Sequence, residues 1–512
     1  MSSSYYDVIV LGAQTGPLCA AALLAKRGFR VLVLGQDALS PSYIVGDYEL
    51  QRVPFNFQYA ATPVAQLIFG ELGIRQELRQ RTEIHQAGVQ LCLPKHRFVL
   101  TKDTDMFTKE VGREFPKIQS AIAAFTRRTA PLCRALDRRL PEGLPFPPDA
   151  PNQWLGFLLQ YYKMRRMHAV DSFDLLSDFP ANHAFTSGIR ALVSQFVPSG
   201  ERNNFQVARA FERARSGISL RGGPDALRQL LSARILAHGG EVWPTERASS
   251  VLLERNVAAG IRVHNSGQTI SAGYIIAGSP LSHTIQMVED RRPFEALLER
   301  VGEPRLRCTR YTLNVVVPKD CLPDSMFRDT LVIADPTQPI FDGNLLHVQR
   351  LDAPPASHAS NSMLCVQAML SPSILRGPKA SMQELRQTIL DYLGRLLPFT
   401  TQAIVLADSP HDGLDADDLS TGSRVSPAEP WHRGPSTMPQ EWNFPVRPAL
   451  GLGAIPIRTP IRKLLICNSQ NIPGLAEEGT LIAALIAANI ISRADKRAWL
   501  RKGRWYSHTY AN

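Results

Sequence analysis

Residues 6–37 read YDVIVLGAQTGPLCAAALLAKRGFRVLVLGQD, and this stretch decides the fold class. Residues 8–11 form an apolar run without polar alternation, which is typical of a strand buried on both faces of a parallel sheet. Residues 18–27 are rich in strong helix formers, and Gly28 ends the predicted helix. Residues 30–34 form a second buried strand. The stretch therefore predicts a βαβ unit of the kind that binds a dinucleotide.

The turn after the first strand departs from the dinucleotide fingerprint, which is G-x-G-x-x-G followed by an acidic residue at the end of the second strand. In a gapless alignment Gly12 holds the first position, but Gln14 and Pro17 hold the second and third, and Gly35 replaces the acid. Gly16 supplies turn flexibility one residue away. A shifted binding mode therefore stays open.

Each departure has a physical meaning for a bound phosphate or ribose. Gln14 brings a side chain to a place where a phosphate touches bare backbone, and Pro17 removes an N–H near the helix N-terminus. Gly35 removes the carboxylate that accepts the ribose hydroxyls. The stretch predicts the fold, but it argues against the ordinary cofactor contacts.

Two later blocks extend this pattern, residues 218–280 with Arg221-Gly222-Gly223 and residues 463–491 with Pro473-Gly474 and an Ala-rich helix. Together with the first stretch, they resemble the FAD-dependent phytoene desaturase and amine oxidase-like superfamily. The resemblance implies an α/β, Rossmann-like FAD/NAD(P)-binding fold, with a parallel sheet, a βαβ start and an inserted α+β substrate domain.

The resemblance also implies which positions would line FAD, if it binds: Gly12, Gln14, Gly16, Arg221, Ala248, Ser469 and Gly474. Ala248 stands where the family usually has a Val whose backbone meets the adenine. Asn468 and Ser469 replace a Gly-Asp pair whose Asp binds the ribityl chain. Residues 40–57 lack the family's G-G-R-x-x-S/T segment. Every flavin-contact motif is therefore altered, while the packing residues around it persist.

The same blocks predict a discontinuous domain division. The predicted units are 1–105 with 215–285 and 446–495 as the FAD-binding-type domain, 106–214 with 286–445 as the substrate domain, and 496–512 as a basic aromatic tail. In the family, the helical part of the substrate domain forms an apolar tunnel. The resemblance therefore implies an apolar ligand in that region.

Composition and charge narrow the classes of partner and compartment. The 512-residue chain has a formal net charge of +11, which favours anionic surfaces, yet it contains no recognisable nucleic-acid module. Its seven cysteines form no C-x-x-C pair and its twelve histidines show no ligand spacing, so no metal site is predicted. The first residues lack the features of a signal peptide, which predicts the cytoplasm.

Residues 154–167, WLGFLLQYYKMRRM, are first apolar and aromatic and then basic. Such a segment suits the headgroup layer of a membrane, where side chains with an apolar body and a polar tip find both kinds of partner. Stripes of this kind usually pack internally, so the favoured interpretation is a core helix with a basic exposed end. The alternative hypothesis is peripheral contact with an anionic membrane through Lys163, Arg165, Arg166 and the tail at 496–512.

These observations favour a phytoene desaturase-like protein, non-catalytic or atypical, that has lost or greatly changed its FAD site and binds an apolar ligand or a protein partner. Two alternatives stay open. One is an active FAD-dependent desaturase, isomerase or oxidase on an apolar substrate, and the other is a nucleotide-binding regulator. No catalytic side chain is nominated, because in this superfamily the flavin N5 accepts hydride directly.

Overall fold

The computed structural model describes residues 5–143, 174–180, 183–197, 203–352, 360–374, 380–400, 402–418, 423–425, 433–445 and 451–495. Residues 154–167, with Lys163, Arg165 and Arg166, and the tail at 496–512 lie outside this described part. The hypothesis of membrane contact through these segments therefore stays a hypothesis.

The described part of the chain contains both strands and α-helices. In chain order the strands are β1 Tyr5–Leu11, β2 Val31–Leu34, β3 Ser42–Val45, β4 Tyr48–Gln51, β5 Thr82–Ile84, β6 Val89–Leu93, β7 His96–Val99, β8 Ile218–Leu220, β9 Glu241–Trp243, β10 Ala248–Glu254, β11 Val257–Val263, β12 Thr269–Ala277, β13 Arg305–Pro318, β14 Asp329–Ile333, β15 Leu345–Asp352, β16 Asn361–Leu370, β17 Leu406–Asp408, β18 Ala416–Asp418, β19 Ser423–Val425, β20 Gln440–Asn443 and β21 Leu464–Ile466. The helices are α1 Thr15–Lys26, α2 Pro63–Leu72, α3 Arg75–Arg81, α4 Thr104–Glu114, α5 Gln119–Arg139, α6 Ala184–Phe196, α7 Asn204–Ala214, α8 Gly223–Ala237, α9 Leu281–Gln286, α10 Glu295–Val301, α11 Ala380–Leu396 and α12 Ala476–Ala494.

The first sheet contains the predicted βαβ unit. Its order is β10-β11-β12-β1-β2-β9, with β21 also paired to β12. The pairs of β1 with β2 and β12, of β2 with β9 and of β12 with β21 are parallel. Residues 8–11 and 31–34 are fully buried, as their unbroken apolar runs predict. The Rossmann-like fold class is confirmed.

The second, larger sheet belongs to the inserted part of the chain. Its order is β19-β18-β17-β13-β16-β15-β14-β6-β7, and β20 pairs with β13. It is antiparallel apart from the parallel pair of β14 with β6. One face packs its apolar side chains on α11. Strands β6 and β7 lie within residues 1–105 but join this second sheet, and the division into domains stays a prediction.

Aromatic side chains fill the interior of the helical region, where the family resemblance implies an apolar tunnel. Phe125 contacts Phe211 and Phe185 edge to face, with ring centroids 4.9 Å and 5.7 Å apart. Phe115 makes similar contacts with Phe98 and Phe185. Such pairs stabilise a core beyond the area that they bury. In the described residues this region is therefore a packed aromatic core.

The C-terminal helix joins the two parts of the molecule. It packs against α1 and α2, and most of its side chains are buried. The helical stretch Pro473–Ala494 is long and apolar enough to cross a membrane, but 83% of its apolar window is buried within the protein. It is therefore placed as a core helix.

Candidate functional site

The candidate site lies at the carboxyl edge of the first sheet, where β1, β2, β12 and β21 all end. The backbone links these ends directly. Gly12 N–H donates to the carbonyl of Leu34 at 2.8 Å, and Gly278 N–H donates to that of Leu11 at 2.7 Å. Ligands of open α/β sheets bind at this edge. Gly12, Gln14, Ala248 and Ser469 follow or begin strands of this sheet.

Gln14 occupies the space above Gly12. The backbone of Gly12 has a φ of +116°, which L side chains rarely adopt. A Cβ atom at position 12 would lie 2.5 Å from Oε1 of Gln14. The Gln14 carboxamide therefore folds back over the bare backbone of the turn, which is the surface that the fingerprint leaves free for a pyrophosphate.

Gly16 serves helix packing in this structure. A Cβ at position 16 would lie 2.4 Å from Cγ2 of Thr480, and one at Gly278 would lie 2.4 Å from Cγ of Pro17. Gly16 thus lets α1 approach the C-terminal helix, while Pro17 fills the space beside Gly278. Both residues are buried. Their positions are explained by packing.

A neighbouring carbonyl lies tightly against the backbone that follows β2. A Cβ at position 35 would lie 1.8 Å from the carbonyl oxygen of Pro244, so this backbone excludes any side chain there. After Gly35 the chain turns through the left-handed region, with φ of 56° at Gln36 and 55° at Asp37. The turn aims the Gln36 side chain at the start of β10.

Gln36 makes a two-point contact with the backbone of Ala248. Its Nε2 donates to the Ala248 carbonyl at 3.1 Å, and the Ala248 N–H donates to its Oε1 at 3.0 Å. A carboxamide presents one donor beside one acceptor, as the N6 and N1 edge of adenine does. Gln36 therefore occupies the backbone pair that the family resemblance assigns to adenine. Sequence reasoning missed Gln36, although it lies only two residues after the end of β2.

Side chains also bridge the ends of β12 and β21. Asn468 Nδ2 donates to the carbonyl of Ser279 at 2.6 Å, and Leu281 N–H donates to Oε1 of Gln470 at 2.8 Å. Ser469 points outward and is exposed. The two residues that replace the family's Gly-Asp pair thus have different roles. Asn468 ties the sheet edge together, and Ser469 faces solvent.

Gly474 lies in tight backbone contact at the entrance to the C-terminal helix. A Cβ at position 474 would lie 2.7 Å from Cα of Leu452, and Gly474 N–H donates to the Leu452 carbonyl at 2.9 Å. Arg213 donates to the carbonyl of Leu475 at 3.0 Å. The cavity beside these residues has a volume of about 10 Å³, the space of roughly one water molecule.

A buried ion pair lies at the start of the C-terminal helix. Arg209 binds both carboxylate oxygens of Glu478, at 2.9 Å and 2.6 Å, and Glu478 is fully buried. Burial alone raises the pKa of Glu478, but the Arg209 guanidinium outweighs this effect and holds the pKa below its ordinary value. The pair joins α7 to the C-terminal helix, so this end of the cleft cannot widen without separating two buried charges.

Arg221 directly follows β8 and contacts β5 and the residue before it. Its side chain is 72% exposed and pairs with Glu83 on β5 at 3.2 Å. Its backbone N–H donates to the carbonyl of Arg81. Among the described residues, the structure thus connects Arg221 with the β5 strand and its neighbours and brings Gly12, Gln14 and Gly16 together at the N-terminus of α1.

The segment that corresponds to the family's second flavin-contact region is clamped to the larger sheet. Tyr43 donates its hydroxyl hydrogen to Asp408 at 2.7 Å. Gln349 exchanges two hydrogen bonds of 3.0 Å with the backbone N–H and carbonyl of Phe55. Asn314 Nδ2 donates to the carbonyl of Gln51 at 2.7 Å. Residues 40–57 are therefore held by polar groups of the substrate sheet.

A buried charge cluster anchors the loop that follows β17. Arg433 donates to both oxygens of Asp408, at 3.0 Å and 2.7 Å. His411, almost fully buried, lies 3.3 Å through its Nε2 from the carbonyl of Arg52. Burial lowers the pKa of His411 to about 3. The described parts of this loop are thus fixed against the 40–57 segment.

Metal ligands do not cluster in the described residues: no group of three or more His, Cys, Asp or Glu side chains lies close enough there to hold a metal ion. The prediction that the protein uses no metal stays a prediction.

Comparison with known proteins relates the fold of this chain to those of solved oxidoreductases and amine oxidases. No protein-family model and no curated protein matches the chain. An oxidoreductase from Methanosarcina mazei superposes over 93% of this chain and 98% of its own, with a TM-score of 0.57 and 14% identity. A putrescine oxidase variant, from work on the redesign of its cofactor binding, covers 96% and 99%, with a TM-score of 0.55 and 16% identity.

Cyclohexylamine oxidase from Brevibacterium oxydans covers 95% of this chain and 99% of its own, with a TM-score of 0.51 and 12% identity. These similarities show that the chain has the fold of the FAD-dependent amine oxidases, as the sequence resemblance implies. At such low sequence identity the similarity shows the fold and does not show the function, because one fold hosts many functions.

Proposed function

We propose that this chain is a non-catalytic protein of the flavoprotein fold, which does not hold FAD in the ordinary mode and binds a protein partner. The observation that carries the proposal is the contact between Gln36 and Ala248, in which the chain's own carboxamide takes the hydrogen bonds assigned to adenine. Adenine that displaced Gln36 would only exchange one pair of bonds for another.

Energetics supports the loss of FAD affinity. A typical hydrogen bond contributes about 0.5–1.5 kcal/mol net, so failure to gain two of them weakens binding by roughly tenfold to a hundredfold. Gln14 above the phosphate turn and the missing carboxylate at Gly35 add to this loss. The cavity beside Gly474 has room for about one water molecule.

The packed helical region favours a protein partner over the apolar ligand that the family resemblance implies. Phe98, Phe115, Phe125 and Phe211 fill the described interior with ring contacts, and all four are nearly inaccessible to solvent. An apolar ligand would have to displace this core. A partner would need only the outer surface.

The second candidate is an active FAD-dependent oxidoreductase on an apolar substrate. The observation in its favour is the similarity of nearly the whole chain to amine oxidase structures. Under this candidate Gln36 and Gln14 swing aside, and residues of the sheet edge bind the dinucleotide through their backbone. Because the present contacts do not fit the cofactor, no reaction step is assigned to any residue.

An absorbance spectrum of the purified, unheated protein separates the two candidates. A protein without flavin has no band between about 350 and 500 nm, the region in which bound flavin absorbs. We expect a colourless preparation, also after expression in riboflavin-supplemented medium. A flavin band at one equivalent per chain would reject the proposal and direct attention to amine and polyene substrates.

A further inference from the structure

One face of the larger sheet carries buried polar side chains in neighbouring rows. Thr312 on β13, Gln367 on β16 and His347 on β15 lie side by side in the first row, as the strand register shows. Asn314 and Gln349 lie in the next row, because side chains two residues apart on a strand point to the same face. All five are at most 4% exposed. These five residues are called the polar strip below.

Two other parts of the chain cover the polar strip. Gln195, near the end of α6, donates through Nε2 to Oε1 of Gln367 at 2.9 Å. The 40–57 segment covers the second row, where Nδ2 of Asn314 donates to the carbonyl of Gln51 at 2.7 Å. The strip is therefore enclosed between the sheet, α6 and the 40–57 segment.

Three side-chain oxygens in and over the polar strip have no hydrogen-bond partner among the described residues: Oε1 of Gln195, Oγ1 of Thr312 and Oδ1 of Asn314. Each of these residues is at most 3% exposed. Exchanging the N and O atoms of the two amides would not help, because their nitrogen atoms already donate to oxygen. All three oxygens can accept a hydrogen bond, so the strip lacks donors.

Buried oxygens of this kind need a hydrogen-bond donor. A buried polar group without a partner keeps its full desolvation penalty, and native interiors contain few such groups. Thr312 and Asn314 are two residues apart, about 7 Å along the strand, and Gln195 bonds to the side chain directly opposite Thr312. A donor from outside the described chain therefore fits in the strip.

The space beside the strip limits the size of this donor. Phe196 directly follows Gln195, and its ring contacts that of His347 with centroids 5.3 Å apart. Phe196 also lines the cavity of about 10 Å³, which has room for one water molecule. The donor that suits this interior is therefore the size of water.

The charges around the strip favour an uncharged donor. Arg310 lies on the same face two residues before Thr312, and its Nε donates to Glu441 at 2.5 Å. Asp329, at the other side of the strip, pairs with His347 at 3.0 Å. Both carboxylates thus have a basic partner already, and a buried cation would need a further counter-charge. Water supplies two donors without any charge.

We propose that internal water molecules bind along the polar strip and donate hydrogen bonds to Gln195, Thr312 and Asn314. One water molecule has two donors and can serve two neighbouring oxygens, and the Thr312 hydroxyl can in turn donate to water. The bound water joins α6 and the 40–57 segment to the larger sheet. This site is built by residues of the substrate part and does not depend on the state of the FAD cleft.

A high-resolution crystal structure of the full-length chain tests the proposal directly. We expect ordered water oxygens within about 2.5–3.0 Å of Oγ1 of Thr312 and of the two amide oxygens. Three results would overturn the proposal: a strip without water, side chains rotated to pair with one another, or a larger molecule bound in place of water.

The variant Thr312→Val tests the same site in solution. Valine resembles threonine in shape but has no hydroxyl, so it loses any hydrogen bond between Oγ1 and water. We expect the unfolding equilibrium constant, measured by chemical denaturation, to rise about fivefold to tenfold. The matched control is Thr269→Val at an exposed strand position, which should change this constant by about twofold or less.

A dry strip gives the opposite result, since Thr312→Val would then remove a buried hydroxyl that has no partner. A lower unfolding constant for Thr312→Val, or a change no larger than that of Thr269→Val, would overturn the proposal. If Thr312→Val does not fold, the wild-type crystal structure decides between a hydrated and a dry strip.

Discussion

The two ends of the candidate site are closed by different kinds of contact. At the adenine end, a single partly exposed side chain, Gln36, bonds to the backbone of Ala248. At the other end, beside the start of the C-terminal helix and here called the flavin end, the pair of Arg209 and Glu478 and the backbone contact of Gly474 are buried. A side chain at the surface can move at little cost, whereas a buried ion pair cannot be opened cheaply. The first closure is therefore reversible by one substitution, and the second is part of the folded core.

The largest expected loss of stability comes from removing the buried ion pair at the flavin end. Glu478→Ala leaves Arg209 buried with only half of its acidic partners, and we expect the free energy of unfolding to fall by about 3–5 kcal/mol. Chemical denaturation measures this loss. The double variant Arg209→Met, Glu478→Leu should regain most of it, since neither charge remains buried. A loss below about 1 kcal/mol for Glu478→Ala would show that the flavin end is not locked by this pair.

The next largest loss of stability is expected from disturbing the packing of α1 against the C-terminal helix. Gly16→Ala places a methyl group against Cγ2 of Thr480, and we expect a loss of up to about 3 kcal/mol in the free energy of unfolding. The second substitution Thr480→Ser removes that Cγ2 and should restore stability. Full stability of Gly16→Ala alone would contradict the packing role of Gly16.

The clamp on residues 40–57 predicts a pH dependence. Because burial keeps His411 neutral, with a pKa of about 3, the unfolded chain binds a proton that the folded chain does not bind as pH falls below about 6.5. The stability contributed by neutral His411 is present above this pH and is lost as pH falls. We expect about 2 kcal/mol less dependence on pH between 7 and 5 in His411→Gln than in wild type. Parallel curves for the two proteins would show that His411 titrates normally.

The smallest effect on stability belongs to the adenine end. Gln36→Gly removes the carboxamide and suits the positive φ at this position, so we expect a change in unfolding free energy within about 0.5 kcal/mol. It also frees the Ala248 backbone. Calorimetry should then detect AMP binding by Gln36→Gly and none by wild type. Equal AMP affinities would contradict the role assigned to Gln36.

Sequence patterns predict the sheets well, because the buried runs at residues 8–11 and 31–34 keep their packing whatever happens at the site. They also identify the altered contact positions Gln14 and Ser469. They do not predict that Gly35 is required by the carbonyl of Pro244, more than two hundred residues away in the chain. The loss of an acid at this position is visible in the sequence, and its steric reason is not.

The side chains that fill the cleft could not be predicted from the sequence either, because their partners are distant in the chain or belong to the backbone. Arg209 and Glu478 are separated by 269 positions, and the partner of Gln36 is a backbone pair, which leaves no mark on the residue type of Ala248. The signal that was available is a glutamine two residues after the βαβ unit ends at Leu34. A polar side chain at that point reaches the edge of the sheet, where a ligand would otherwise lie.

Calorimetric titration of FAD into the wild-type protein tests the central claim most directly. The closed cleft predicts no saturable heat at FAD concentrations up to about 100 μM, because a binding free energy near −5 kcal/mol or weaker is all that the remaining contacts supply. Saturable one-to-one binding with a Kd near 1 μM or below would contradict the account, since it would require Gln36, Gln14 and the buried flavin end to open together.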